Sequence, residues 1–297
     1  MSSNFDSTKK AIVVANITAV LLVIIKTVVG IMSGSLALLS SALDSTLDFF
    51  VSLFNLYVIK TSNDKDNSLY NYGKGKIQGI GAVLEGAIVG FSGITLIYFA
   101  IRKIIDGGAI ESLNESIYVM IASIILTGAL VIYLSKVAKK TKNLTIRADM
   151  LHYTTDLYTN IGIIISLVLI KFSGLVIIDS IVAIVIGIYI LTSSKGIITE
   201  GYHMLMDRKL DQEILDKVID IILNTDKRVN SYHYLNSRKS GDDIFIDFHL
   251  VFDKDISLFD AHNTGDMIEL KIKEILENAK VLIHLDPYDD SKGKIYV

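Results

Sequence analysis

Six apolar windows decide what this chain can fold into. They run over residues 11–33, 36–59, 77–105, 116–138, 146–171 and 175–200. Each is near or above the roughly 20 residues a helix needs to cross about 30 Å of hydrocarbon. Hydrophobic residues make up 51% of the chain and its mean hydropathy is +0.48, together too apolar for a soluble enzyme of this size. The only proline, Pro287, lies outside all six windows. The expectation is six long unbroken transmembrane helices, because no proline removes a backbone hydrogen bond from them.

After residue 206 the character changes, and no later window is long enough to span. Residues 207–297 carry 13 Lys/Arg against 19 Asp/Glu, a net of −6, while the rest of the chain is at +3. The expected division is a six-helix transmembrane domain over 1–206 and a soluble domain over 207–297. An acidic domain argues against nucleic acid and is compatible with binding cations. The absence of cysteine excludes disulfides, thiolate metal sites and cysteine nucleophiles. The first ten residues are polar and show no cleavable signal pattern, so the first helix is expected to act as its own insertion signal. Basic residues gather at one set of connections: Lys9 and Lys10, then Lys60, Lys65, Lys74 and Lys76, then Lys136, Lys139, Lys140, Lys142 and Arg147. The opposite connections are short or mixed, as with Arg102, Lys103, Asp106, Glu111 and Glu115. The positive-inside rule predicts both termini, and the soluble domain, in the cytoplasm.

Against this apolar background, "LDSTLD" puts Asp44 and Asp48 inside the second window. Each acid at mid-helix costs roughly 2.5–3.5 kcal/mol on insertion scales, and neighbouring Leu, Phe and Val each return only tenths. Polar residues can serve merely to join helices. Spacing points further. Asp44 and Asp48 are four apart and share one helix side. In the fifth window, "RADMLHYTTDLYTN" places His152 and Asp156 four apart as well. Two such helices can offer three oxygens and one imidazole nitrogen. That set suits a divalent first-row cation in tetrahedral geometry, Zn²⁺ most naturally, with Fe²⁺, Cd²⁺, Co²⁺ and Mn²⁺ also accepted to different degrees.

The segments "SGSLALLSSALDSTLDFF", "YGKGK" and "RADMLHYTTDLYTN" resemble the cation diffusion facilitator family, in particular its bacterial zinc and ferrous-iron efflux transporters. The resemblance covers nearly the whole chain, through "IHLDP" near its end. It implies proton-coupled efflux of divalent cations by a homodimer in the inner membrane, with no catalytic cofactor. By this match Asp44, Asp48, His152 and Asp156 would be the transport ligands. The family's loop between the second and third spans often carries histidines as H-P-Y-G-H-G-[KR]. Here the loop reads "DNSLYNYGKGK", with Tyr70 and Lys74 at the histidine places. The loop metal site is therefore expected to be absent or much weakened, whatever Asp64 and Asp66 contribute. Lys76 matches a basic position that pairs with an acid at the start of the soluble domain, and Asp207 in "MLMDRKL" is the candidate partner.

Other polar residues in the windows read as structural. Glu85 suits packing or a cytoplasmic-side position better than proton carriage. Asp149 is expected in the first turn of its helix, where a carboxylate meets the positive dipole end, and Asp179 as a cap. Lys26 and Lys171 can snorkel outward. Gly86 and Gly90 form a GxxxG that allows close helix packing.

The soluble domain predicts the order α-β-β-α-β, a small α+β, metallochaperone-like sandwich. "DQEILDKVIDIILN" has helical period. "VNSYHYLNSRKSGDDIFIDFHLVF" reads as a hairpin turning at 239–241. Residues 257–278 form a second helix and "AKVLIHLDP" a closing strand. Ile244, Ile246, Phe248, Leu250 and Phe252 share one strand face, with Asp247 and His249 on the other. Five of the six histidines follow residue 200. By the resemblance, His233, His249, His262, His284 and Asp286 match a two-ion regulatory site near a dimer interface, with Zn²⁺ or a similar cation as regulatory ligand. His203 falls outside that match and reads as structural. An intramembrane metalloenzyme using the same cage to activate water, and a metal sensor without transport, are the competing classes.

Overall fold

The structure is a computed structural model, and the residues described are 2–33, 36–64, 69–106, 117–173, 175 and 177–287. They fall into two compact units, Ser2–Tyr202 and His203 onward. Asp66 and the side chain of Lys171 lie outside the described residues.

The first unit is α-helical. Its elements are α1 (Ser2–Ser33), α2 (Leu36–Ser62), α3 (Ile77–Asp106), α4 (Ile117–Thr141), α5 (Leu144–Ser173) and α6 (Ile177–Leu205). Among the described residues, six helices are long and apolar enough to cross a membrane. Small residues on α1, Ala11 and Ala15, let it pack closely against its neighbours. Together with Ile12 they join Ile59, Leu134, Ile146 and Tyr153 in one buried cluster. Large apolar side chains such as Ile17, Phe91 and Val185 point outward. Lipid tails solvate such a surface as well as a protein core would, so it carries no penalty in a bilayer.

Helices α3 and α6 approach through glycine. A Cβ on Gly86 would lie 2.7 Å from Ile198 Cγ1, and one on Gly201 would lie 2.8 Å from the Gly79 carbonyl oxygen. The second obstacle is backbone and cannot yield. Gly201→Val is therefore expected to cost about 1–3 kcal/mol, read as a lower melting temperature of the full chain in detergent. An unchanged transition would show that the two helices are not held this closely.

Three expectations for intramembrane polar residues are corrected. Lys26 does not snorkel outward: its Nζ donates to Ser45 Oγ of α2 at 2.8 Å. Ser45 is wholly buried and offers the ammonium a partner inside the bundle. Asp179 follows the start of α6 rather than capping it, and pairs with Lys103 of α3 at 2.7 Å. Asp149 is not in the first turn of α5, which begins at Leu144; it is wholly buried one turn further in.

The second unit contains α7 (Gln212–Asn224), β1 (Ser231–Ser240), β2 (Asp243–Val251), α8 (Leu258–Ile275) and β3 (Ala279–Asp286), the order expected from the sequence. The sheet runs β1-β2-β3, antiparallel then parallel. The hairpin between β1 and β2 turns at Gly241, whose φ of 63° a side chain would resist. Ile246, Phe248 and Leu250 face Val218 and Ile222 of α7 and Ile268 and Ile272 of α8, so both helices cover one side of the sheet. Ser257 caps α8 by accepting from the Asp260 N–H at 3.0 Å.

A charged latch joins the end of α7 to α8. Arg228 Nη2 lies 2.7 Å from Asp226 Oδ2, and Thr264 donates to the same oxygen at 2.9 Å. The Arg228 guanidinium holds the Asp226 carboxyl well below the usual carboxylate range. A depressed carboxyl stabilises the fold above its unfolded pKa, near 4, and loses that effect as pH falls toward the folded value. Asp226→Asn is expected to melt lower than wild type at pH 7 in a fragment of residues 207–297. The gap should close as pH drops below about 4. An equal gap at pH 7 and pH 3 would mean that the latch is not electrostatic.

Candidate metal centres

The first cluster is built by two membrane helices. Asp48 lies on α2, and His152 and Asp156 on α5. One turn of helix puts His152 and Asp156 on the same side, and α5 turns that side to α2. His152 Nε2 stands 3.0 Å from Asp48 Oδ1 and 3.8 Å from Asp156 Oδ2. Ligand atoms of all three residues lie within 4.8 Å of one another, close enough to share one cation. His152 is buried and the two acids are half-buried, so an ion there would be mostly but not wholly shielded from solvent. Asp44 is not in this cluster. It stands one turn before Asp48 on α2 and is exposed.

The second cluster is on the sheet. In register, His233 of β1 faces His249 of β2, which faces His284 of β3. The three imidazoles form one row across the strands, with ring centroids 4.9 Å and 4.5 Å apart. Asp286 comes two residues after His284 and therefore on the same side of β3. Its carboxylate is the hub, at 2.8 Å from His249 Nδ1, 3.3 Å from His233 Nε2 and 3.1 Å from His284 Nε2. His233, His249 and Asp286 lie close enough to hold a cation together. The row occupies the side of the sheet opposite α7 and α8, because His249 alternates with Phe248 and Leu250.

His262 is not brought to this row. It is exposed on α8, on the helical side, and pairs with Asp266 at 3.6 Å. His203 lies 2.7 Å from Arg208 Nη1, away from the row. Tyr234 was not singled out from the sequence. It has a φ of 53°, at the point where the β1–β2 register slips between His233 and Asn236. This bulge lets one residue leave the strand alternation. Its ring packs 4.6 Å from His233 and 5.1 Å from His249.

In the loop between α2 and α3, Lys74 Nζ lies 2.8 Å from Asp64 Oδ2 and 5.4 Å from the Tyr70 ring centroid. The lysine thus occupies the carboxylate that a cation would seek. Asp207, in the second unit, lies 3.4 Å from Arg238 Nη1.

A third polar group links three membrane helices. Asn55 of α2 donates through one nitrogen to Glu85 Oε2 of α3 at 3.1 Å and to Asp149 Oδ1 of α5 at 3.0 Å. All three residues are buried. Glu85 read as packing in the sequence, and Asn55 gave no signal there.

Both parts of the chain have known relatives. Residues 12–206 match the cation efflux transmembrane domain, and residues 210–288 match the cytoplasmic domain of cation efflux proteins. A cation-efflux pump FieF from Shewanella oneidensis is 31% identical over 270 residues, covering 91% of this chain and 90% of that protein. The FieF of Serratia proteamaculans is 32% identical over 279 residues, 94% and 92% of the two chains. Protein p34 of Rickettsia prowazekii is 30% identical over 272 residues, 91% and 89%. The chain belongs to the cation diffusion facilitator family, and is thus a multi-pass membrane transporter of cations and not an enzyme.

Proposed function

We propose that the protein exports divalent metal cations in exchange for protons, as a homodimer in the inner membrane with both termini cytoplasmic. Domain boundaries at 1–206 and 207–297 go with this reading. The observation that carries it is the meeting of Asp48, His152 and Asp156 from two membrane helices. Nothing in a bilayer repays two half-buried acids beside an imidazole as well as a cation does.

The cation takes Asp48, His152 and Asp156 as its first three ligands. Asp44, whose Cβ is about 5–6 Å from that of Asp48 along the helix, supplies the fourth oxygen when α2 moves. One nitrogen with three oxygens favours Zn²⁺ and admits Fe²⁺, Cd²⁺, Co²⁺ and Mn²⁺. Release is by protonation, because these ligands hold metal only when deprotonated. His152 is the group whose ordinary range lies nearest neutral pH.

On the soluble side, His233, His249, His284 and Asp286 bind a pair of regulatory cations near the dimer interface, with His262 contributed by the second copy of the chain. Among the described residues of the loop between α2 and α3, Lys74 neutralises Asp64 and so disfavours a strong metal site there.

Proteoliposomes test the coupling. An acidic interior should drive Zn²⁺ inward, and collapsing the gradient with a protonophore should stop the net uptake. Equal uptake with and without the gradient would remove the proton from the mechanism. Competition by the other four ions in the same vesicles ranks the substrates.

A further inference from the structure

The Asn55–Glu85–Asp149 group has more oxygen than the hydrogen bonds use. Asn55 is wholly buried and its amide lies between the two acids, yet its Oδ1 has no partner. Glu85 Oε1 and Asp149 Oδ2 are also buried without a partner. Among the described residues, one amide nitrogen is the only side-chain donor to the two carboxylates. A neutral NH₂ group leaves most of the acceptor capacity of two carboxylates unmet, and such groups are costly to bury unpaired.

The group also has a place in a sequence of layers. On α2, Asp48, Asn55 and Ser62 are each seven residues apart, about two turns or 10 Å. On α5, Asp156 and Asp149 are seven apart, and on α3, Glu85 and Gln78 are seven apart. Gln78 donates to Ser62 Oγ at 3.3 Å and accepts from Asn143 Nδ2 at 3.2 Å. A file of polar layers thus runs from the loop end of α2 and α3, through Asn55–Glu85–Asp149, to the Asp48–His152–Asp156 cluster. The basic residues that set the proposed orientation lie at that loop end.

We propose that Asn55, Glu85 and Asp149 form a second, all-oxygen divalent-cation site, a station on the way to the transport cluster. This rests on the export reading given above. A half-turn of the Asn55 amide exchanges its oxygen for its nitrogen. The Asn55 oxygen would then stand about 3.1 Å from Glu85 Oε2 and 3.0 Å from Asp149 Oδ1, with each of the three oxygens on a different helix. That spacing is close to the separation of neighbouring oxygens around a cation bound octahedrally at about 2.1 Å. Two carboxylates match the charge of the ion, and the amide oxygen replaces one water. An oxygen-only set suits harder ions such as Mn²⁺, where the imidazole-bearing cluster suits Zn²⁺.

The test counts Mn²⁺ on the full chain in detergent by electron paramagnetic resonance, with His249→Ala and His284→Ala present to remove the soluble cluster. Two membrane-unit equivalents are expected. Glu85→Gln, nearly isosteric, should remove one, and Asp48→Ala should remove the other. Asn55→Leu should weaken the first at least tenfold, whereas Asn55→Asp and Glu85→Asp, which keep the oxygens, should retain it. In the chain with only the Asp48→Ala change added, the remaining Mn²⁺ should show no nitrogen coupling, a readout that does not depend on altering the layer. An unchanged count and affinity in both Glu85→Gln and Asn55→Leu would overturn the proposal. So would a Glu85→Gln variant that alters only the pH dependence of flux, because the layer would then hold a proton and no metal. If instead Asp48→Ala removes nothing while Glu85→Gln does, the transport-site reading fails and this site stands.

Discussion

Asp48→Ala and Asp156→Ala are each expected to reduce Zn²⁺ flux in proteoliposomes at least a hundredfold, to the level of empty vesicles. Among the described residues, each carboxylate is one of the three groups within 4.8 Å of one another that can share the ion. Removing one leaves two of these three and, with Asp44, an incomplete shell that cannot replace the hydration of the ion. The same change should leave insertion intact. A mid-helix acid costs roughly 2.5–3.5 kcal/mol, so alanine makes the helix easier to insert. Asp156→Ala also leaves the 3.0 Å pairing of His152 with Asp48 in place, which keeps α2 and α5 joined. Yield and elution volume should therefore match wild type. Near-normal flux in either variant would mean that these residues join helices and do not carry the cation.

The second large effect belongs to the sheet. A fragment of residues 207–297 is at −6, and like charge opposes its pairing with a second copy. Cations held by the histidine row and Asp286 cancel part of that charge. A ligand that binds only the assembled form stabilises it by about 2.7 kcal/mol at a hundredfold excess over Kd. The fragment is expected to dimerise about a hundredfold more tightly, and to melt higher, in Zn²⁺ than in EDTA. His249→Ala with His284→Ala should abolish most of that difference, because it removes two of the three imidazoles within 3.3 Å of Asp286. The fold should survive. Both side chains lie on the sheet side opposite the helices, and the core residues Phe248 and Leu250 are untouched. Equal dimer affinity with and without Zn²⁺, by sedimentation, would reduce the row to surface histidines.

Much of this was legible in the sequence where one helix or one strand sets the geometry. Residues four apart share a helix side, so Asp44 with Asp48 and His152 with Asp156 could be paired without a structure, but that Asp44 stands exposed outside the cluster could not. The alternation of Ile246, Phe248 and Leu250 with Asp247 and His249 gave both sides of β2. What depends on neighbours was not legible. Lys26 turned inward because Ser45 happens to face it across two helices. Asp149 lay deeper than its position near the helix start suggested, because Asn55 and Glu85 wait there from two other helices. An asparagine in a membrane span carries no signal until its partners are known. The row of three histidines needed the strand register, and that register contains a bulge at Tyr234 that no hydrophobic pattern announces. His262 matches a pattern in type but stands on a helix covering the other side of the sheet.

The central claim is that the cation is held midway across the membrane by Asp48, His152 and Asp156. Anomalous scattering at the zinc edge, on the Zn²⁺-loaded full chain, tests it most directly. The account predicts a peak about 2.0–2.2 Å from carboxylate oxygens of Asp48 and Asp156 and from His152 Nε2, with the present 3.0 Å contact between His152 and Asp48 replaced by bonds to the ion. Zinc found only on the soluble domain, with His152 still paired to Asp48, would contradict it.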